Sequence, residues 1–216
     1  MRFQSTPKNA AAFRRRLLAW FRTAGRDLPW RRTRDPYRVL VSEFMLQQTQ
    51  VSRVLEYYPR FLSRYPDLEA LARARPRAVR EAWEGLGYYR RAANLHRLAR
   101  EVVRRHAGTV PADPAELEQL PGVGPYTAGA VASFAYEKPA PAVDTNARRV
   151  IQRVFGCRTA RRVQATALAL QPRRGKTAWS LNQALMELGA LVCSARAPKC
   201  PSCPVSRHCL WYSINP

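Results

Sequence analysis

Apolar positions recur along the chain at spacings of three and four, and proline and glycine supply most of the breaks. Phe13, Leu17, Leu18, Trp20 and Phe21 share one helical face and predict a first helix. Residues 25–34 are polar and basic and read as a loop. Asp35-Pro36 then opens YRVLVSEFMLQQT, which is apolar round most of its circumference and is expected to be buried. VSRVLEYYPRFLSRYP follows as a helix expected to be interrupted near Pro59, and Leu68 to Trp83 as another, ending at Gly85. The stretch WEGLGYYRRAANLHRL reads as helix, Gly-x-Gly bend, helix. Ala92, Leu95, Leu98, Ala99 and Val102 line one face, with Arg90, Arg91, Arg97 and Arg100 assigned to the others. Two or three more helices are expected from Arg148 onward. There is no convincing β-run and no solenoid repeat, so the fold class is all-α.

The same helix–bend–helix theme returns in LPGVGPYTAGAVASFAYEKPAPAVDTN, residues 120–146. Asp113, Pro114 and Glu116 form a helix start, and Pro121 ends that short helix. Gly122 and Gly124 allow a tight turn, and Pro125 can open the next helix. The unpaired N–H groups around Gly122, Val123 and Gly124 make an anion site suited to a phosphate.

Charge sharpens that picture. The 216 residues carry 37 Lys and Arg against 15 Asp and Glu, a net charge of +22, and only four of the cations are Lys. Such a field favours a polyanionic partner, with nucleic acid the first candidate and a steep loss of binding with salt. The length allows one domain or two small ones. No apolar run reaches the 18 or so residues of a membrane span, so no membrane is expected. The Arg-rich N-terminal 25 residues superficially suggest a transit peptide, but their apolar face fits a first helix of the fold. A soluble, intracellular protein is expected.

Cys193, Cys200, Cys203 and Cys209 are spaced C-x6-C-x2-C-x5-C, while Cys157 stands apart as a small buried filler. Without a sign of secretion, four packed cysteines argue for a metal centre rather than disulfides. One tight pair with two wide arms suits an iron–sulfur cubane better than zinc, which remains the alternative. Two carboxylates are isolated. Glu43 is the only charge between Arg38 and Arg53, and Asp144 the only one between Lys138 and Arg148. A carboxyl on a buried helix favours its protonated form and can serve as a general acid. Asp144 stands where a helix N-cap is expected, and backbone N–H groups there would keep it ionised. An acid and an ionised stabiliser are the pattern of glycosidic bond cleavage, although either residue could be purely structural.

LPGVGPYTAGA, then AVDTN, then the four cysteines, in this order, resemble the helix–hairpin–helix DNA glycosylases of the endonuclease III superfamily. LPWRRTRDPYRVLVSEFMLQQTQV and GLGYYRRAANLH are similar to the adenine-excising, MutY-type branch. The resemblance runs from about residue 20 to 210 and implies a two-lobed fold with a C-terminal iron–sulfur cluster loop. Residues 30–138 would form a six-helix lobe containing the hairpin. Residues 1–29 and 139–216 would form the second, with a [4Fe-4S] cluster at 193–209. Double-stranded DNA holding a mismatched or damaged pair would be the partner of a monomer, with the target nucleotide flipped into the cleft.

The resemblance also implies residue roles. Glu43 would protonate the adenine and Asp144 stabilise the oxocarbenium-like sugar, with Tyr126 and Asn146 holding these groups and the water. Arg26, Trp30, Arg31 and Gln183 would line the base pocket. Gln48, Thr49, Leu86 and Tyr88 would probe the opposite base and wedge the gap. Bifunctional members place a lysine where this chain has Tyr126. A phenol forms no Schiff base, so hydrolysis without efficient strand cleavage is expected. The chain ends seven residues after Cys209, without the C-terminal domain with which MutY-type enzymes read 8-oxoguanine. Its length also suits the compact enzymes that remove T or U opposite G. Adenine opposite G or 8-oxoguanine is the first reading, T/U:G excision the second, and a non-catalytic or zinc-stabilised DNA-binding module the third.

Overall fold

A computed structural model of the protein describes residues 9–215. Residues 1–8 and Pro216, which the sequence reading gave to the second lobe, lie outside the described residues. The α-helices among the described residues are α1 (Ala10–Ala24), α2 (Pro36–Leu46), α3 (Val51–Arg64), α4 (Leu68–Arg73), α5 (Pro76–Ala82) and α6 (Arg90–Arg105). They continue with α7 (Pro114–Leu117), α8 (Pro125–Phe134), α9 (Thr145–Phe155), α10 (Ala160–Leu170), α11 (Gly175–Leu191) and α12 (Leu210–Ile214). No β-strand occurs among the described residues, so the all-α expectation holds.

The chain divides into two compact units: Asp27–Tyr136, and Met1–Arg26 with Glu137–Pro216. In the first, α2 packs on α3, α6 and α8, while α4 and α5 pack on α6. Leu40, Phe44, Met45, Phe61, Leu71, Trp83, Leu95 and Leu98 are fully buried there, with Phe61 edge-on to Trp83 at 5.6 Å. In the second, α11 packs on α1 and α9, and α10 and α12 pack on α9. Phe13, Leu17, Val150, Ile151, Leu181, Leu185 and Leu188 form its core.

Three local expectations are corrected. Helix α3 runs unbroken through Pro59. The proline only deprives the carbonyl of Leu55 of a donor, and Leu55 is exposed, where water can reach that group. The helix expected over 68–83 is two, because Ala74 and Arg75 are extended ahead of Pro76. Helix α2 ends at Leu46, since Gln48 turns left-handed at φ 56°.

Arg91, assigned from sequence to a polar face of α6, is 6% exposed. It stands four residues before Leu95 and seven before Leu98, so it shares their apolar face.

Candidate active site

Helix α8 begins at the glycine hairpin. Gly122 adopts φ +79° against Asn94 and Phe44, a position a side chain would enter only with strain. Gly124 is different: its φ is −109° and nothing lies within 4 Å of where its Cβ would be. The protein itself does not demand a glycine at 124, so the open space favours close approach by an outside group. Gly124 is the N-cap of α8 and offers no side-chain cap, which leaves the N–H groups of the first turn to a ligand or solvent.

At the second residue of α8, the Tyr126 hydroxyl donates to Glu43 Oε2 at 2.6 Å. Glu43 is 3% exposed, among Leu40, Val41, Phe44 and Met45 of α2. The contact between α2 and α8 therefore brings together the acid candidate and the phenol.

Asp144 is the N-cap of α9. Its Oδ1 accepts the Ala147 N–H at 2.7 Å, and its Oδ2 accepts from Asn146 Nδ2 at 3.0 Å. Burial pushes its pKa above the ordinary aspartate value, opposed by those hydrogen bonds and by the charge of Arg149. The cap is present, yet it does not hold this carboxyl as low as a cap alone would. Arg149 Nη2 donates to Asn146 Oδ1 and to the Gly189 carbonyl, both at 2.7 Å, while its Nε donates to the Cys193 carbonyl at 2.7 Å. A Cβ on Gly189 would lie 2.6 Å from Asn146 Cβ, so α11 crosses the start of α9 at a point that requires a glycine.

The proposed base-pocket residues fall in both units. Trp30, in a short 3-10 turn over Pro29–Arg31, is buried edge-on to Tyr58 at 5.5 Å, and Arg31 beside it is half-buried. Arg26 makes a bidentate pair with Glu187, Nε to Oε1 at 2.7 Å and Nη2 to Oε2 at 3.0 Å. Its backbone N–H adds a third bond at 2.9 Å. Gln183 is buried on α11, one turn before Glu187. Sequence reasoning missed Glu187, although it is the only charge between Lys176 and Arg196, the same signal that marked Glu43 and Asp144. Asn182, beside Gln183, accepts from the Ala142 N–H and donates to the Ala140 carbonyl, fixing the loop that delivers Asp144.

Gln48, Thr49, Leu86 and Tyr88 gather round the Arg91 guanidinium, which reaches Thr49 Oγ1 at 2.9 Å and the Leu86 carbonyl at 3.1 Å. Gln48 and Tyr88 are exposed, whereas Leu86 is 5% exposed and packs inward. Of the two wedge candidates, Tyr88 presents its ring.

Cys193, Cys200, Cys203 and Cys209 line one small recess. Burial, then the charge of the other three sulfurs, pushes the Cys203 thiol up to about 11. Arg153 Nη1 donates to Cys193 Sγ at 3.4 Å and brings a compensating cation. Among the described residues no three His, Cys, Asp or Glu side chains are grouped as one metal ion would require.

An all-helical fold with a glycine hairpin and a buried carboxyl–phenol pair defines a class, and the chain is a member of it. Residues 41–173 match the HhH-GPD superfamily of base excision DNA repair proteins, and the chain belongs to that superfamily. Within it, the chain is similar to an adenine DNA glycosylase of Mycobacterium tuberculosis (strain CDC 1551 / Oshkosh), 48% identical over 202 residues. That match covers 90% of this chain but 66% of the relative, so the chain spans just under two thirds of its length. It is 38% identical to a thymine-DNA glycosylase of Aeropyrum pernix, over 94% of this chain and 95% of that one. A thermostable thymine-DNA glycosylase structure superposes with a TM-score of 0.90 at 34% identity, covering 96% of this chain and 98% of the other.

Proposed function

We propose that the chain is a monofunctional DNA glycosylase that hydrolyses the N-glycosidic bond of adenine mispaired with G or 8-oxoguanine in double-stranded DNA inside the cell. The observation that carries this reading is the buried Glu43 held by the Tyr126 phenol, with no lysine amine in that position. Glu43 delivers its proton to the adenine ring, and the base leaves with the electrons of the glycosidic bond. Asp144, aimed by Ala147 N–H and Asn146, stabilises the cationic sugar. Water adds to the sugar and its released proton returns to Glu43, leaving adenine and an abasic site. Tyr126 puts a phenol rather than a lysine amine beside Glu43, so no Schiff base forms from that position and the strand stays intact until alkali cleaves it.

Arg26, Trp30, Arg31 and Gln183 would contact the extruded base, with Glu187 orienting Arg26. The N–H groups around Gly122, Val123 and Gly124 would hold a backbone phosphate. Gln48, Thr49 and Tyr88 would meet the opposite base and the gap, with Leu86 supporting the Tyr88 loop from within.

The four cysteines share one recess with Arg153 as a nearby cation, and four thiolates are the donor set of an iron–sulfur cubane. They would hold a [4Fe-4S] cluster, which when bound supplies a covalent clamp for the loop that carries Arg196, Lys199 and Arg207. Iron and acid-labile sulfide in the purified protein are the expected result; zinc in their place would overturn this assignment.

A duplex panel with A:G, A:8-oxoguanine, T:G and U:G pairs, treated with alkali after incubation, tests the function. Strand breaks at adenine are expected. Breaks only at T:G or U:G would install the second reading, which the superposition on thymine-DNA glycosylase favours. No break at any pair, with tight duplex binding, would leave a binding module.

A further inference from the structure

Arg91 is a buried cation whose hydrogen-bond partners include no acidic side chain. Nη1 donates to the carbonyls of Phe44 at 3.0 Å and Met45 at 2.7 Å, and to that of Gln47. Nη2 donates to Thr49 Oγ1 at 2.9 Å and to the carbonyls of Leu86 and Gly87, both at 3.1 Å. The guanidinium also lies 5.5 Å from the Trp83 ring and 5.4 Å from the Tyr88 ring. Its acceptors thus fall into two groups, 44–49 at the end of α2 and 86–87 in the loop before α6. Each group adjoins an exposed non-glycine residue in the left-handed region, Gln48 at φ 56° and Tyr88 at φ 46°.

Two features argue against a mere helix cap. The carbonyls of Phe44, Met45 and Gln47 could be satisfied by any cation or by water at the C-terminal end of α2. A planar fork is needed only where one group must bond in two directions at once. Trp83 Nε1 and Arg53 hold the carbonyls of Gly87 and Gly85 from the other side, so the loop has its own anchors apart from Arg91. What Arg91 alone adds is the connection between the two segments.

We propose that Arg91 is a positioning residue that clips the 46–49 turn to the 85–88 loop, so that Gln48 and Tyr88 meet the duplex as one two-pronged probe at fixed spacing. This rests on the glycosylase reading for what the probe does, but the clip itself is a property of the DNA-free protein.

Hydrogen–deuterium exchange of the DNA-free full chain tests the clip whatever base is excised. Arg91→Lys keeps the charge but not the fork. Amides of 46–49 and 85–88 are expected to exchange faster together, by roughly tenfold or more, with α11 unchanged. Thr49→Val removes a single contact in one segment and is expected to loosen the other segment as well. If Arg91→Lys does not fold, Thr49→Val carries the test. Faster exchange in 46–49 alone, or in neither segment, would overturn the proposal.

Single-turnover excision is the second arm. Arg91→Lys is expected to lose roughly 10- to 100-fold on adenine opposite G, and less than about twofold on adenine opposite an abasic site, where no opposite base is probed. Equal losses on both duplexes would overturn the proposal. A wild-type enzyme that releases no adenine would instead remove the adenine reading, and the exchange result would still decide the clip.

Discussion

Tyr126 donates its only proton to a carboxyl that is 3% exposed. Deleting one partner of such a pair takes this hydrogen bond from the other, at a cost of about 1–3 kcal/mol. Tyr126→Phe is therefore expected to slow single-turnover excision by roughly 10- to 100-fold while the far-ultraviolet circular dichroism stays unchanged. Asp144 presents the opposite balance. Because burial raises its pKa above the ordinary aspartate value of 3.8, the folded protein holds this proton more tightly than the unfolded chain does. Its contribution to stability is complete below pH 3.8 and is lost as the pH rises through the folded value, so at neutral pH the ionised group is a net cost. Asp144→Asn keeps a capping oxygen and removes that charge. It is expected to melt close to wild type at pH 7, the removed charge offset by an amide that now faces the Asn146 Nδ2 donor, while excision falls by at least about a hundredfold. The acid limb of the excision rate should have its midpoint above pH 3.8. A midpoint at or below that value would separate Asp144 from the rate.

At the scale of elements, the crossing of α9 and α11 is a tight fit. A methyl on Gly189 would press on Asn146 Cβ at 2.6 Å and on its Cα and carbonyl carbon at 2.9 Å. Overpacking of this kind costs about 1–3 kcal/mol, and here it would displace the partner of Asp144. Gly189→Ala is expected both to lower the melting temperature and to slow excision, whereas Gly124→Ala, with open space around it, should weaken DNA binding at unchanged melting temperature. Most helices were legible because their apolar positions keep a 3.6-residue period and their starts carry Asp-Pro signals, as at Asp35 and Asp113. Three features were not. Pro59 looks like a break, but its cost falls on an exposed flank that sequence does not reveal. Glu187 carried the isolated-carboxylate signal in full and was overlooked. Arg91 lay on the apolar stripe with Leu95 and Leu98, but a buried cation whose partners are backbone carbonyls leaves no complementary acid in the sequence to betray it.

At the scale of the whole molecule, the charge of +22 favours a polyanionic partner, which under the proposed function is duplex DNA. The logarithm of duplex affinity is expected to fall linearly with the logarithm of salt, by roughly 0.9 per phosphate neutralised, and a flat dependence would contradict a backbone-led encounter. The division into units also bears on how the protein is made. Asp27–Tyr136 is one continuous stretch, whereas α1 packs chiefly on α11, in the distant C-terminal segment of its own unit. During synthesis the continuous stretch can therefore collapse as soon as it clears the ribosome, while α1 waits, its buried Phe13 and Leu17 exposed, until more than a hundred further residues have emerged. Nascent α1 therefore presents an apolar face that a chaperone can cover until α11 has been made.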